Sequence, residues 1–255
     1  MPDQSLFSTL QKFQPIQLEE MVAVKLMNRV DVKYTFHRSQ LVDILEELKD
    51  DYRMLEVNGI RLSSYESLYF DDNDLLFYSE HHRKRLNRVK VRYRRYLDSK
   101  ISFLELKHKY KGRTNKIRIP SDKNYHELPE DHAQFLKENF PVEMPDLKAT
   151  LNNQYKRLTL VNKFSEERLT IDLDLKFDWQ GKEEDLSPIV IAELKQKRVT
   201  RNSPFVQVMK QRGIRPLRLS KYCIGILHLS GKENVKYNRF KKKLLKIDKI
   251  INNAA

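Results

Sequence analysis

The sequence predicts an α+β fold in which an antiparallel sheet curls into a closed barrel, basic on the inside and flanked by helices on the outside. Three observations carry that expectation. Several segments alternate with a period of two, the charged face of each is rich in Arg and Lys, and four short stretches have helical periodicity.

The strands come first. From Arg29 to Phe36, Arg29, Asp31 and Lys33 fall on one face, and Val30, Val32, Tyr34 and Phe36 on the other. Asn87 to Arg95 places Arg88, Lys90, Arg92 and Arg94 opposite Val89, Val91 and Tyr93. Ile101 to Tyr110 aligns Glu105, Lys107 and Lys109. Arg168 to Phe177 sets Arg168, Thr170, Asp172, Asp174 and Lys176 against Leu169, Ile171, Leu173, Leu175 and Phe177. Ile189 to Lys197 aligns Glu193, Lys195 and Lys197, Tyr155 to Val161 aligns Tyr155 with Arg157, and Ser67 to Asp71 reads as a short strand.

Helices are expected over Ser39 to Leu48, with apolar residues at 41, 44, 45 and 48, and over Glu130 to Phe140. Ser203 and Pro204 supply an N-cap and first-turn pair for a helix through Arg212. Tyr237, Phe240, Leu244, Ile247 and Ile251 make an apolar stripe on a basic C-terminal helix. His81 and His82 read as an exposed turn, and Gly112 to Lys116 as a turn between strands.

Composition narrows the function. The chain of 255 residues has 49 Lys and Arg against 35 Asp and Glu, a net charge of +14. Such a surplus points to a polyanionic partner. Six glycines and nine prolines form no linker, so residues 1–235 are expected to make one domain and 236–255 its basic amphipathic helix. No apolar run spans a bilayer, and Met1 to Phe13 lacks the order of a secretory signal. The single Cys223 excludes an internal disulfide and a Cys-based zinc site. A soluble, cytoplasmic chain is expected, with the basic helix either packed on the domain or touching an anionic membrane or membrane-embedded partner.

A charged strand face is ordinarily a solvated one. Here several strands share the pattern, and like charges facing each other across strands are destabilising unless a polyanion neutralises them. Glu105 with Lys107, and Glu193 with Lys195, are acid-x-Lys pairs that can hold a divalent metal and a phosphate side by side. There is no P-loop and no Gly-x-Gly-x-x-Gly turn, and His126 to His132 has neither the spacing nor the helix of a zinc motif. Tyr93, Tyr96, Phe103 and Tyr110 interleave basic residues as a single-strand binder's would, but Tyr93 lies on the apolar face, so nucleic acid is not the expected partner.

Six motifs in order, Arg29-Val-Asp-Val-Lys-Tyr34, Leu68-Tyr-Phe-Asp71, Val91-Arg-Tyr-Arg-Arg-Tyr96, Phe103-Leu-Glu-Leu-Lys107, Ile191-Ala-Glu-Leu-Lys195 and Arg218-Leu-Ser-Lys-Tyr222, resemble the vacuolar transporter chaperone (VTC) polyphosphate polymerase domain. That family is a branch of the triphosphate tunnel metalloenzymes, also called CYTH-like. The resemblance covers residues 20 to 230 and implies an antiparallel β-tunnel whose basic walls hold triphosphate or polyphosphate. It implies catalytic roles for Lys33, Arg92, Arg94, Lys107 and Lys195, and phosphate contacts from Arg157, Arg168, Arg218 and Lys221. Arg88, Lys90 and Lys109, which share the basic strand faces, join the expected phosphate ligands. Glu193, then Glu105, would hold Mn²⁺ or Mg²⁺.

The superfamily's Glu-x-Glu-x-Lys appears here as Arg29-Val-Asp31-Val-Lys33. The missing first carboxylate leans toward transfer from ATP to polyphosphate, with a triphosphatase or a non-catalytic polyphosphate or nucleic-acid binder as alternatives.

Overall fold

The computed structural model describes residues 4–21, 29–111, 113–198, 200–231 and 233–252. Its frame is a mostly antiparallel sheet, α+β in class. In chain order the elements are α1 (Gln4–Gln11), β1 (Gln14–Ile16), β2 (Val30–His37), α2 (Leu41–Leu48), β3 (Tyr52–Leu55), β4 (Ser63–Asp71) and α3 (Leu76–His82). The hairpins β5 (Arg88–Tyr96), β6 (Ile101–Tyr110) and β7 (Arg113–Ser121) follow, then α4 (Glu130–Asn139), β8 (Lys148–Asn162), β9 (Glu167–Trp179), β10 (Lys182–Asp185) and β11 (Ile189–Gln196). Three helices end the chain: α5 (Pro204–Gln211), α6 (Lys221–Ser230) and α7 (Lys241–Asn252).

The main strand path runs β2-β11-β9-β8-β4-β5-β6-β7, with β3 paired to β8, β10 to β9, and β1 parallel to β3. The expected closed barrel is not found: among the described residues β2 and β7 do not pair. The segment before α6 spans part of the opening instead. Leu217 N–H donates to the Lys33 carbonyl on β2 at 2.7 Å, and Lys90 Nζ on β5 donates to Ser220 Oγ at 2.9 Å. The segment thus links β2 to β5, two strands in from β7, through single contacts rather than ladder hydrogen bonds.

Apolar side chains cover the convex face in two groups. Tyr34, Phe36, Leu169, Ile171, Leu173, Val190, Ala192 and Leu194 pack under α1, α2 and α5. Leu68, Val89, Val91, Tyr93, Leu104 and Leu106 pack with Leu136 of α4. The concave face is not charged throughout, as the alternation alone suggested. Leu151, Tyr155, Leu175, Phe177, Ile189 and Ile191 line one end of it and enclose α6 and the stripe of α7.

Part of that difference has a specific cause. Asp174 adopts a left-handed backbone, φ 54°, and the β8–β9 register slips between Gln154 and Lys156. The extra β9 residue is a bulge, which reverses the side-chain alternation beyond it. Leu175 and Phe177 therefore turn inward although the sequence pattern set them beside Leu169 and Ile171. Gly225 of α6 lets the helix sit against this surface, because a Cβ there would come within 2.6 Å of Leu151 and 2.7 Å of Phe177.

Helix boundaries follow local chemistry. Ser203 Oγ accepts from Val206 N–H at the start of α5. His37 caps the 3-10 turn Arg38–Gln40 that leads into α2. His81 and His82 are not in an exposed turn; they close α3, with His82 buried and packed on Phe240. Desolvation and nearby Lys and Arg charges push the His81 imidazole down to about 2. Phe240, Leu244 and Ile247 of the C-terminal stripe are buried in the same cluster as α6. Among the described residues no helix is long and apolar enough to cross a membrane.

Candidate active site

The concave face beyond α6 carries two charged walls. The first comes from β2, β11, β9 and β8. Cross-strand register puts Lys33, Glu193 and Thr170 in one row, Asp31, Lys195 and Arg168 in the next, and Asp172 beside Arg157 in a third. Glu193 lies between two lysines, 2.7 Å from Lys195 Nζ and 3.5 Å from Lys33 Nζ. Burial opposes its ionisation, but the charges of Lys33 and Lys195 hold the carboxyl well below the usual range. Asp172 accepts from Arg157 Nε at 2.5 Å and Nη2 at 2.8 Å, and also pairs with Lys221 at the first turn of α6. That bidentate clamp fixes the guanidinium in the wall. At the edge, Arg29 Nε donates to Asp31 at 3.1 Å.

The second wall is β5, β6 and β7. Lys90, Lys107 and Lys116 stand in one row across the three strands. The adjoining row is Arg92, Glu105 and Arg118, and on the other side Arg88 faces Lys109. Glu105 is fully buried. It accepts from Arg92 at 2.7 and 2.9 Å and from Lys116 at 3.0 Å, with Lys107 at 3.8 Å. Although burial favours its neutral form, Arg92, Arg94, Lys107 and Lys116 keep its carboxyl well below the usual range. One carboxylate cannot neutralise this wall. Desolvation, then repulsion from neighbours that include Lys33 and Arg88, brings Lys90 down to about 8. Burial and the Arg92 charge lower Lys107 strongly. Burial also lowers Lys195 and Lys221, each to about 8. Nε of Arg94 and of Arg168 is buried without a partner among the described residues.

An array of desolvated cations with unspent donors is chemically suited to phosphate oxygens. The donor set also suits a hard divalent cation that keeps water and substrate oxygens as its other ligands. Glu193 is ionised and its side chain is 19% exposed, and no group of three or more His, Cys, Asp or Glu side chains forms among the described residues.

The family model of the VTC domain matches residues 28–230. The chain belongs to the VTC domain family. No curated protein matches it. Solved structures similar to this VTC domain include a candidate adenylate cyclase from Vibrio parahaemolyticus, at 13% identity over 78% of this chain and 99% of that one, with a TM-score of 0.46. A conserved hypothetical protein from Pyrococcus furiosus has 15% identity over 76% and 99%, with a TM-score of 0.41. A candidate adenylyl cyclase from Hippeastrum, described as having a dominant triphosphatase activity, has 12% identity over 78% and 94%, with a TM-score of 0.45.

Within the VTC domain, Lys33, Arg157, Arg168, Glu193, Lys195 and Lys221 come together on the first wall, and Lys90, Arg92, Arg94, Lys107 and Glu105 on the second. Lys90 of the second wall donates to Ser220 Oγ, and the next residue, Lys221, pairs with Asp172 of the first, so the two walls meet at the start of α6. Arg88 and Lys109 face each other one row beyond Lys90 and Lys107, and Arg218 is exposed.

One expectation about these segments changes. Arg113 to Lys116 belong to β7 rather than a turn, and Gly112 lies outside the described residues. Lys116 and Arg118 therefore join the second wall, signalled in the sequence by Lys116-Ile-Arg118-Ile but obscured by the preceding glycine. The ion-pairing role of Asp172 was also missed; sequence placed it on the right face but gave it no partner. Asp71 and Tyr222, parts of two of the resembling motifs, do structural work. Asp71 accepts from the N–H groups of Phe77 and Tyr78 at 2.8 and 3.0 Å and from the Tyr222 hydroxyl, tying α3 to α6.

Proposed function

We propose that this VTC domain is a polyphosphate polymerase that moves the γ-phosphoryl group of ATP onto the end of a polyphosphate chain. The observation that carries this reading is the row Lys90, Lys107 and Lys116. Three like charges side by side are costly in an empty protein, and a linear polyanion laid along them removes the cost. VTC family membership supports phosphoryl chemistry on a phosphate-rich substrate.

In this scheme Arg94, Arg157, Lys33, Lys195 and Lys221 grip the ATP triphosphate. Lys90, Lys107 and Lys116 hold the acceptor chain, with Arg88, Lys109 and Arg218 extending its path. Arg92 is fixed by Glu105 and lends positive charge between the two. We assign Glu105 as the counter-ion of the second wall, and Glu193 as the carboxylate that would hold Mn²⁺ or Mg²⁺. When bound, the metal would neutralise charge on the transferring phosphate. A terminal oxygen of the acceptor bonds to the γ-phosphorus as the bond to the ADP oxygen breaks. The acceptor is already an anion, so no general base is needed, and catalysis rests on alignment and electrostatics. The Arg29–Asp31 pair adds a cation where the superfamily pattern has a carboxylate, which favours a phosphate acceptor over an activated water.

Phosphorus-31 NMR of purified protein with ATP, Mn²⁺ and a short polyphosphate primer tests the reading. Internal-phosphate signal should grow in step with ADP, faster with primer. Release of orthophosphate alone makes the protein a triphosphatase. Polyphosphate binding with no turnover makes it a binding module.

A further inference from the structure

We propose a second anion site on the convex side of the same sheet, built for a small phosphate-bearing anion such as orthophosphate or a small phosphate monoester. A cavity of about 220 Å³ lies there, between β4, β5 and β8 and the segment that leads from β7 to α4. Its polar lining includes Glu66, Arg95, Lys123, Asn124, His126 and Asn152. Glu66 and Arg95 alternate with Ser67 and Arg94, so they share the face of Leu68 and Tyr93 and turn away from the catalytic walls. None of these residues belongs to the site described above, and the proposal does not depend on the polymerase reading.

The charge balance of the cavity identifies its ligand. Arg95 stands directly across the ladder from Glu66, a geometry that ordinarily gives an ion pair. Here the carboxylate is satisfied by neutral amides instead. It accepts from Asn124 Nδ2 at 3.0 Å and from Asn152 Nδ2 and Gln154 Nε2, each at 3.4 Å. The Arg95 guanidinium has no ion pair among the described residues, and its Nε is buried without a partner. Its N–H donors are therefore left for a ligand, and Lys123 at the rim tips the charge of the cavity, otherwise balanced between Glu66 and Arg95, toward an anion.

The arrangement of donors selects between anions. Arg95 approaches from β5 and Lys123 from the segment between β7 and α4, and the tetrahedral oxygens of a phosphate can meet both, where a carboxylate presents a single edge. The volume admits only a few atoms beyond the phosphate.

Calorimetry with orthophosphate and, separately, glycerol phosphate reads the site, using Lys107→Gln protein to weaken the concave competitor. Binding should persist in Lys107→Gln and fall by about tenfold or more when Arg95→Gln is added, the loss of a charge-assisted contact. Lys123→Gln, in the exposed loop where folding is not at stake, should weaken it severalfold. Whichever anion binds more tightly names the ligand. Tungstate soaked into crystals should give an anomalous peak between Arg95 and Lys123 that disappears with Arg95→Gln. Tungstate peaks confined to the concave walls, or binding indifferent to both substitutions, would overturn the site. Acetate competing as well as phosphate would overturn the ligand class.

Discussion

Replacing Lys90 by Met should make the empty protein more stable while weakening its grip on triphosphate. Lys90 titrates at about 8 in the fold against 10.5 for an ordinary lysine, chiefly because it is desolvated. At about 1.4 kcal/mol per pH unit, the folded state bears roughly 3 kcal/mol for keeping that ammonium charged at pH 7. Losing the hydrogen bond to Ser220 Oγ returns about 1 kcal/mol. The net gain is roughly 2 kcal/mol, or about 4–8 °C in Tm for a chain of this size, trimmed by salt in the open cavity. The sign can be checked with pH. A lysine depressed in the fold opposes stability fully below pH 8, and the penalty fades as pH rises toward the unfolded value of 10.5. Urea denaturation of both proteins at pH 7 and pH 10 is the assay. The variant should gain at pH 7 and lose most of that gain at pH 10. Destabilisation at pH 7, or an equal gain at both values, refutes the argument.

Other outcomes follow from the same walls. Triphosphate should raise Tm by several degrees more than equimolar orthophosphate, since binding at a hundred times Kd adds about 2.7 kcal/mol; equal shifts would count against the concave site. Arg157→Gln leaves the buried Asp172 with one partner and should cost about 3–5 kcal/mol in urea denaturation. Arg94→Lys keeps the charge but loses the fork, so turnover should fall steeply at nearly unchanged Tm. Glu193→Gln should shift the Mn²⁺ activation curve to higher concentration, and a curve overlaying the wild type removes it from the metal site.

Much of the fold is legible because alternation reports which residues share a face. Lys33, Glu193, Lys195, Arg92 and Lys107 reach the concave surface as their spacing requires. Closure is not legible, since alternation says nothing about whether β2 meets β7 or a loop intervenes. The bulge at Asp174 is silent too: an aspartate in left-handed conformation leaves the hydrophobic period unbroken while reversing the faces beyond it. Partners also escape a one-dimensional reading. Glu105 looks in sequence like Glu193, each two residues before a lysine. Register then gives Glu105 a bidentate arginine and a second lysine from β7, while Glu193 keeps exposure and lies between two lysines. The family motifs likewise mix chemistry with scaffolding, as Asp71 and Tyr222 show.

The concave walls as the path of polyphosphate can be tested by lysine acetylation read by mass spectrometry, with and without polyphosphate present. With amines near pH 8, Lys90, Lys195 and Lys221 should react in the empty protein, as should Lys107 and Lys116 in the rows beside them. The account predicts that polyphosphate protects these five and leaves the exposed Lys241, Lys242 and Lys249 of α7 reacting as before. Protection of the α7 lysines with the concave five still reactive would contradict it.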